Sequence, residues 1–225
     1  MKPPILKFEN LTISFNDSPP VVENVNLELN SGETLALVGE SGSGKSLTSL
    51  SSVLLLPDSA KISGSIYFEN RLVNKLKSSE LEQIRGNKVG FIFQEPMTSL
   101  NPLHTVRHQI IEAIKLHQDL TKKEMENFAQ YLLSEVGLQD IDFDHNKYAH
   151  QLSGGQRQRI MIAMALANNP KLLIADEPTT ALDVTIQAQI LNLLRRLQKK
   201  SKISMLFITH DLSIVKSIAT KIAVM

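Results

Sequence analysis

The chain contains no cysteine and no tryptophan, and aromatic residues make up only 5% of its 225 positions. Without cysteine it forms no disulfide, builds no thiolate zinc site and offers no cysteine nucleophile, a composition that fits a reducing compartment. Any metal must bind through oxygen or nitrogen. An excess of one charge is missing too: 24 Lys and Arg face 23 Asp and Glu. No global positive field therefore draws in nucleic acid or anionic lipid, and nucleic acid is not an expected partner. The longest apolar stretches, such as 172–175 and 205–208, fall far short of the roughly 20 residues that span a bilayer. Prolines and charges in the opening MKPPILKFENLTISF interrupt the apolar run that an export signal needs.

What is present is an ordinary globular balance of 42% hydrophobic and 21% charged residues, enough for one large domain or a domain with an inserted lobe. Residues 25–29 alternate strictly between apolar and polar, and 5–15 nearly do. Both read as half-buried strands of an antiparallel meander that turns at 16–20. Residues 34–38 form a short apolar strand running into a glycine-rich turn, and 46–56 continue with helical character. Further strands are expected at 66–68 and 89–94. From 106 to 136, Ile110, Ile114, Phe128, Leu132 and Val136 recur at helical spacing with a break near 119–121, the pattern of an inserted helical lobe. Next come a helix at 153–167, a strand at 171–175 and a helix at 185–199. A strand at 205–209, a helix at 212–219 and a strand from 221 complete the order. Such alternation predicts an α/β fold with a mostly parallel, doubly wound sheet and ligands at the carboxyl ends of its strands. The chain stops on Ile222-Ala223-Val224-Met225 without a polar cap, which reads as truncation of a longer polypeptide.

Gly39-Glu40-Ser41-Gly42-Ser43-Gly44-Lys45-Ser46 matches G-x-x-x-x-G-K-[ST] in the context that gives the pattern meaning, after a strand and before a helix. The glycines let backbone N–H groups close around a β-phosphate, Lys45 reaches the β- and γ-phosphates, and Ser46 ligates Mg²⁺. Such a loop holds ATP without cleaving it. Cleavage needs an oriented water and a base, and the apolar strand ahead of Asp176-Glu177 delivers two carboxylates. Asp176 is placed to hold Mg²⁺ through water and Glu177 to accept the water's proton, unless the pair simply begins a loop.

Leu152-Ser153-Gly154-Gly155-Gln156, followed by Arg157-Gln158-Arg159, completes a set that resembles the ABC ATPases over essentially the whole chain. The resemblance implies a P-loop NTPase cassette with a RecA-like core and β subdomain (1–94 and 153–225) and a helical subdomain at about 95–152. It implies that Gln94 is the Q-loop glutamine, touching Mg²⁺ and the lobe, with a solvated strand end as the competing reading. Ala181-Leu182-Asp183 is similar to the D-loop, and His210 to the switch histidine that contacts the γ-phosphate and holds Glu177. Phe15 stands where the family stacks an aromatic on adenine, a core phenylalanine being the alternative, and nucleotide contacts extend through Leu47. In that family two cassettes stack head to tail, and each ATP lies between one P-loop and the opposite Ser153-Gly154-Gly155-Gln156. Here that segment opens a helix, so it offers a hydroxyl, N–H groups and a positive dipole end, whatever its role as a cap.

Glu95-Pro96-Met97-Thr98-Ser99-Leu100-Asn101-Pro102 resembles the Q-loop extension of dipeptide, oligopeptide and nickel importer ATPases. Together with Arg85-Gly86-Asn87-Lys88 and the segment 161–166, it looks most like the first half of fused ATPases that energise uptake of microcin C and related peptides. The implied partners are a second cassette, integral-membrane permease subunits and a substrate-binding protein, at the cytoplasmic face of the inner membrane. The competing classes are a non-transport ABC ATPase, for DNA repair or translation, and a small-molecule P-loop kinase. The first would favour long heptad arms or zinc insertions, which are absent, and the second has no use for 153–156 or His210. His104, His108, His117, His145 and His150 lack mutual metal spacing and read as surface or helix residues. His104 and His108 are four apart but have no third ligand in the sequence.

Overall fold

The computed structural model describes residues 3–16, 18–139, 146–180 and 182–225. Met1 and Lys2, Asp17 of the expected turn, the 140–145 stretch with His145, and Ala181 lie outside them. Strand β1 (Leu6–Phe15) pairs antiparallel with β2 (Val22–Leu29). Its inward residues Leu6 and Phe8 are followed by Leu11 and Ile13, all at 0% exposure. The one-step change of parity falls where the register shifts between Phe8 and Leu11, so a bulge explains why the alternation is only nearly regular. Strand β3 (Thr34–Val38) leaves this sheet and leads into helix α1 (Lys45–Ser51). Strand β4 (Ala60–Phe68) returns to β1 and β5 (Arg71–Leu72) closes the edge, giving the order β2-β1-β4-β5.

Two boundaries depart furthest from expectation. The helix expected over 46–56 ends at Ser51, because the serines here bond backward onto the backbone. Ser49, Ser51 and Ser52 hydroxyls donate to the carbonyls of Ser46, Thr48 and Ser49, and Leu54 takes a left-handed φ of 51°. Strand β4 begins six positions before Ile66, where AKISGS has no apolar run of its own. Pairing with β1, from Phe15 opposite Ala60 to Glu9 opposite Ser65, makes it a strand.

After the short helix α2 (Ser78–Glu82), strand β6 (Val89–Ile92) enters a second sheet. Helices α3 (Pro96–Ser99), α4 (Val106–Lys115) and α5 (Lys122–Glu135) follow, and Thr121 caps α5 through a reciprocal bond with Glu124 at the anticipated break. Helix α6 (Gly154–Leu166) leads to β7 (Leu172–Asp176), α7 (Val184–Ser201), β8 (Ser204–Thr209), α8 (Leu212–Ile218) and β9 (Lys221–Val224). The second sheet has the order β6-β7-β8-β3-β9, with every pairing parallel.

The parallel sheet is the middle of three layers. Leu172 and Ile174 of β7 face a core shared with the antiparallel sheet, while Leu173 and Ala175 face one shared with α4, α5, α6 and α7. A strand covered on both faces must be apolar throughout, which is why β3, β7 and β8 carry no alternation. The carboxyl ends of these strands therefore converge on one edge of a rigid sheet.

Candidate active site

At that edge lies an open cleft of about 890 Å³ whose walls include Gly39, Lys45, Ser46, Gln94, Glu177 and His210. The loop after β3 wraps the Lys45 side chain, which is only 4% exposed. Its ammonium donates to the carbonyls of Gly39 (3.0 Å) and Glu40 (2.6 Å) and lies 3.4 Å from Ser43 Oγ. Gly44 adopts φ 91°, and a Cβ there would stand 2.6 Å from Val22 Cγ2. The position is closed to any side chain both by backbone and by space.

Ser46 Oγ donates to Asp176 Oδ1 at 3.1 Å, joining the loop to the end of β7. Burial pushes the Asp176 carboxyl above its usual range, and the neighbouring Glu177 charge adds to this, against the Ser46 hydrogen bond and the Lys45 charge. A buried carboxylate beside a hydroxyl, with the Gln94 amide lining the same cleft, is a hard-oxygen donor set suited to Mg²⁺. A dication at Ser46 and Asp176 would relieve the desolvation that burial imposes on the anion.

Glu177 follows Asp176 with φ 44°, a left-handed conformation uncommon outside glycine and characteristic of strained functional positions. The kink turns its carboxylate into the cleft, where three groups converge on one oxygen. Glu177 Oε2 accepts from Gln94 Nε2 at 3.3 Å and Thr180 Oγ1 at 2.9 Å, and lies 3.1 Å from His210 Nδ1. Oε1 carries none of these bonds. Gln94 comes from the end of β6, His210 from the end of β8 and Glu177 from the end of β7. The parallel sheet thus assembles the triad from three strands that the sequence separates widely.

Thr180 was not singled out by sequence reasoning, nor were Val21, Leu212 and Val224, which also line the cleft. A signal for Thr180 existed: Thr180 N donates to Glu177 O at 3.1 Å, so a hydroxyl three residues after the carboxylate sits in a tight turn facing it. Phe15 is half-buried against the core beneath the antiparallel sheet. It is not among the cleft's lining residues, whereas Val21 is.

The remaining sequence-derived residues gather elsewhere. Ser153 caps α6, accepting from Gln156 N at 3.2 Å, while Gln156 Oε1 accepts from Ser153 N at 3.0 Å. Asp183 caps α7, accepting from the N–H groups of Thr185 and Ile186. A Cβ on Gly155 would meet Ile186 Cγ2 at 2.8 Å, and one on Gly154 would meet Leu182 Cδ2 at 3.4 Å. The two helix starts are therefore neighbours, and none of these residues lines the cleft. One histidine reading needs correction: His104 and His108 have a third candidate ligand, Glu112, with donor atoms of all three within 4.8 Å of one another. It sits one further turn along α4, inside the helical stretch expected over 106–136, at the same spacing of four that separates the two histidines.

A family model described as ABC transporter matches residues 22–180. This chain belongs to the ABC transporter family. Its fold is that of an ABC ATPase cassette. It superimposes with TM-score 0.84 and 32% identity on a dimeric post-hydrolysis state of the ATP-binding cassette MJ0796 bound to ADP and Pi, covering 98% of this chain and 94% of that one. Among curated ABC proteins, the peptidoglycan transport ATP-binding protein YejF of Agrobacterium fabrum is 52% identical over 99% of this chain and 42% of its own length. The oligopeptide transport ATP-binding protein OppD of Bacillus subtilis is 49% identical over 98% of this chain and 63% of its own length. The chain thus spans less than half of YejF and somewhat under two thirds of OppD. Among the described residues, no helix is long and apolar enough to cross a membrane.

Proposed function

We propose that this chain is the ATP-binding and ATP-hydrolysing cassette of an ABC importer for peptides or peptide-like compounds, of the microcin C type. The observation that carries the hydrolytic reading is the Glu177 carboxylate, held through Oε2 by Gln94 and Thr180 beside His210, in the same cleft as the P-loop. Lys45 exchanges the carbonyls of Gly39 and Glu40 for β- and γ-phosphate oxygens. Ser46, Asp176 and Gln94 would hold Mg²⁺, which would supply charge neutralisation at the phosphates. Glu177 Oε1 accepts a proton from the attacking water while His210 and Gln94 keep the carboxylate oriented. Gly39 to Leu47 make the phosphate contacts, and Phe15 stacks on the adenine after moving from its half-buried position.

Ser153, Gly154, Gly155, Gln156 and Asp183 stand away from the chain's own cleft, which supports their serving the nucleotide of a second cassette. Closure of such a pair upon two ATP molecules, and reopening after cleavage, links occupancy to motion. The helical subdomain at 95–152 passes that motion to integral-membrane permeases, working with a substrate-binding protein at the cytoplasmic face of the membrane. The core comprises 1–94 and 153–225. The peptide assignment draws support from relatives named for peptidoglycan and oligopeptide transport.

Two substitutions test the site. Lys45→Ala weakens ATP binding by about ten- to a hundredfold, the loss of a charge-assisted contact. Glu177→Gln keeps ATP affinity but lowers turnover on the order of 10²- to 10⁴-fold and leaves a paired, ATP-loaded state in size-exclusion chromatography. Undiminished turnover in Glu177→Gln removes it as the base. Copurification with two integral-membrane subunits tests the transporter reading, and its failure leaves the hydrolytic site untouched.

A further inference from the structure

We propose that His104, His108 and Glu112 form a surface site for a late first-row divalent metal ion, of which Zn²⁺ is the best fit. The three residues are spaced by four, which puts successive side chains on one face of α4 and of the turn before it. Their donor atoms lie within 4.8 Å of one another, and the two imidazole rings meet edge to face at 4.4 Å between centroids. A cation bound at about 2.0–2.2 Å from each donor needs only small rotations of His108 and Glu112, both exposed.

His104 lies outside the helix, yet its backbone is fixed to it. The buried Gln109 side chain donates to the carbonyls of Asn101 (3.1 Å) and His104 (3.0 Å) and accepts from Asn101 N (2.9 Å). Thr105 Oγ1 in turn accepts from His108 N at 3.2 Å, which sets where the helix begins. A ligand in a turn is thereby held in register with two ligands on a helix. His104 Nδ1 is itself buried and has no hydrogen-bond partner among the described residues. Glu112 Oε2 stands 3.9 Å away, too far for a hydrogen bond but close enough to share an ion. Buried polar atoms of this kind are rare unless something satisfies them.

Two imidazoles and one carboxylate select Zn²⁺ and its neighbours over Mg²⁺ or Ca²⁺, which prefer all-oxygen sites. With three protein ligands the fourth position faces solvent. Bound metal would pin the 101–105 turn, which connects α3 to α4. The site is separate from the nucleotide cleft and independent of the proposed hydrolytic mechanism.

The test is calorimetric titration of Zn²⁺ into the 225-residue chain with Mg²⁺ in excess to occupy oxygen sites. We expect one Zn²⁺ per chain above the level of a His108→Ala/Glu112→Gln double variant. Affinity should fall at least about tenfold in each single variant. Amide exchange over 103–108 should slow when Zn²⁺ is added to the parent but not to the double variant. Equal titration of parent and variants overturns the site. Loss in His108→Ala with none in Glu112→Gln also overturns it, reducing it to an adventitious imidazole pair. Melting in chelator, expected to be the same for all variants because both side chains are exposed, guards against misfolding, and His108→Gln serves as the second variant if alanine fails that check.

Discussion

At the start of α1, Gly44 sits in the left-handed region and no side chain caps the helix, whereas the start of α6 is closed by the reciprocal Ser153–Gln156 pair. Both starts carry closely packed glycines and expose a positive helix end, but they are finished in opposite ways. The first has no side-chain cap, and its own carbonyls hold the Lys45 charge. The second has its Gln156 and Ser153 N–H groups bonded to each other's side chains, so its shape is set without a ligand. Capping consumes only a lone pair of the Ser153 oxygen, so the hydroxyl proton stays free to donate. On the proposed reading, one loop is shaped around its own nucleotide, while the other would be a preformed surface for a nucleotide brought by another chain.

The largest effect that would sharpen this contrast is expected at Gly44. Gly44→Ala combines a left-handed backbone, unfavourable by about 1–2 kcal/mol, with a contact of 2.6 Å to Val22 Cγ2 that adds about 1–3 kcal/mol. Urea unfolding should show that loss together with weakened ATP binding; a stable variant with normal affinity would mean the loop tolerates another shape. At the capped start the effects should separate. Ser153→Ala removes about 0.5–2 kcal/mol of stability, while Ser153→Gly removes only a few tenths. If the hydroxyl serves a partner's nucleotide, both variants lose ATP turnover alike despite their unequal stabilities. Normal turnover in Ser153→Gly would make the residue a cap alone, and the contrast would collapse.

The parallel half of the fold was legible because β3, β7 and β8 are buried on both faces and announce themselves as apolar runs. The first six residues of strand β4 were not, because residues 60–65 become a strand only through β1, a long-range cause that leaves no local period. The P-loop, Asp176 and Glu177 were readable from contiguous residues. His210 and Gln94 needed the family resemblance, since only the sheet brings their strand ends together. Thr180 escaped because its hydroxyl matters only after Glu177 takes its left-handed turn. Glu112 escaped because a lone glutamate among helix surface residues gains meaning only from the ring positions beside it.

The smallest expected effect concerns the same catalytic cleft and asks whether the three-strand assembly is complete without Thr180. Thr180 Oγ1 makes the shortest of the contacts to Glu177 Oε2, 2.9 Å against 3.3 Å from Gln94 and 3.1 Å to His210. Its turn is local, so on the proposed mechanism it would act before any partner or nucleotide arrives and keep Oε1, which accepts no bond from these groups, available to the attacking water. Thr180→Val is nearly isosteric and removes only the hydroxyl, so kcat should drop about three- to tenfold, matching about 0.6–1.4 kcal/mol for one hydrogen bond among three. KM for ATP should stay unchanged, and Thr180→Ser should restore kcat, because the donor rather than the methyl group orients the base. A rise in KM with kcat intact would instead place Thr180 in nucleotide binding, and the orientation of Glu177 would then rest on residues from the neighbouring strands alone.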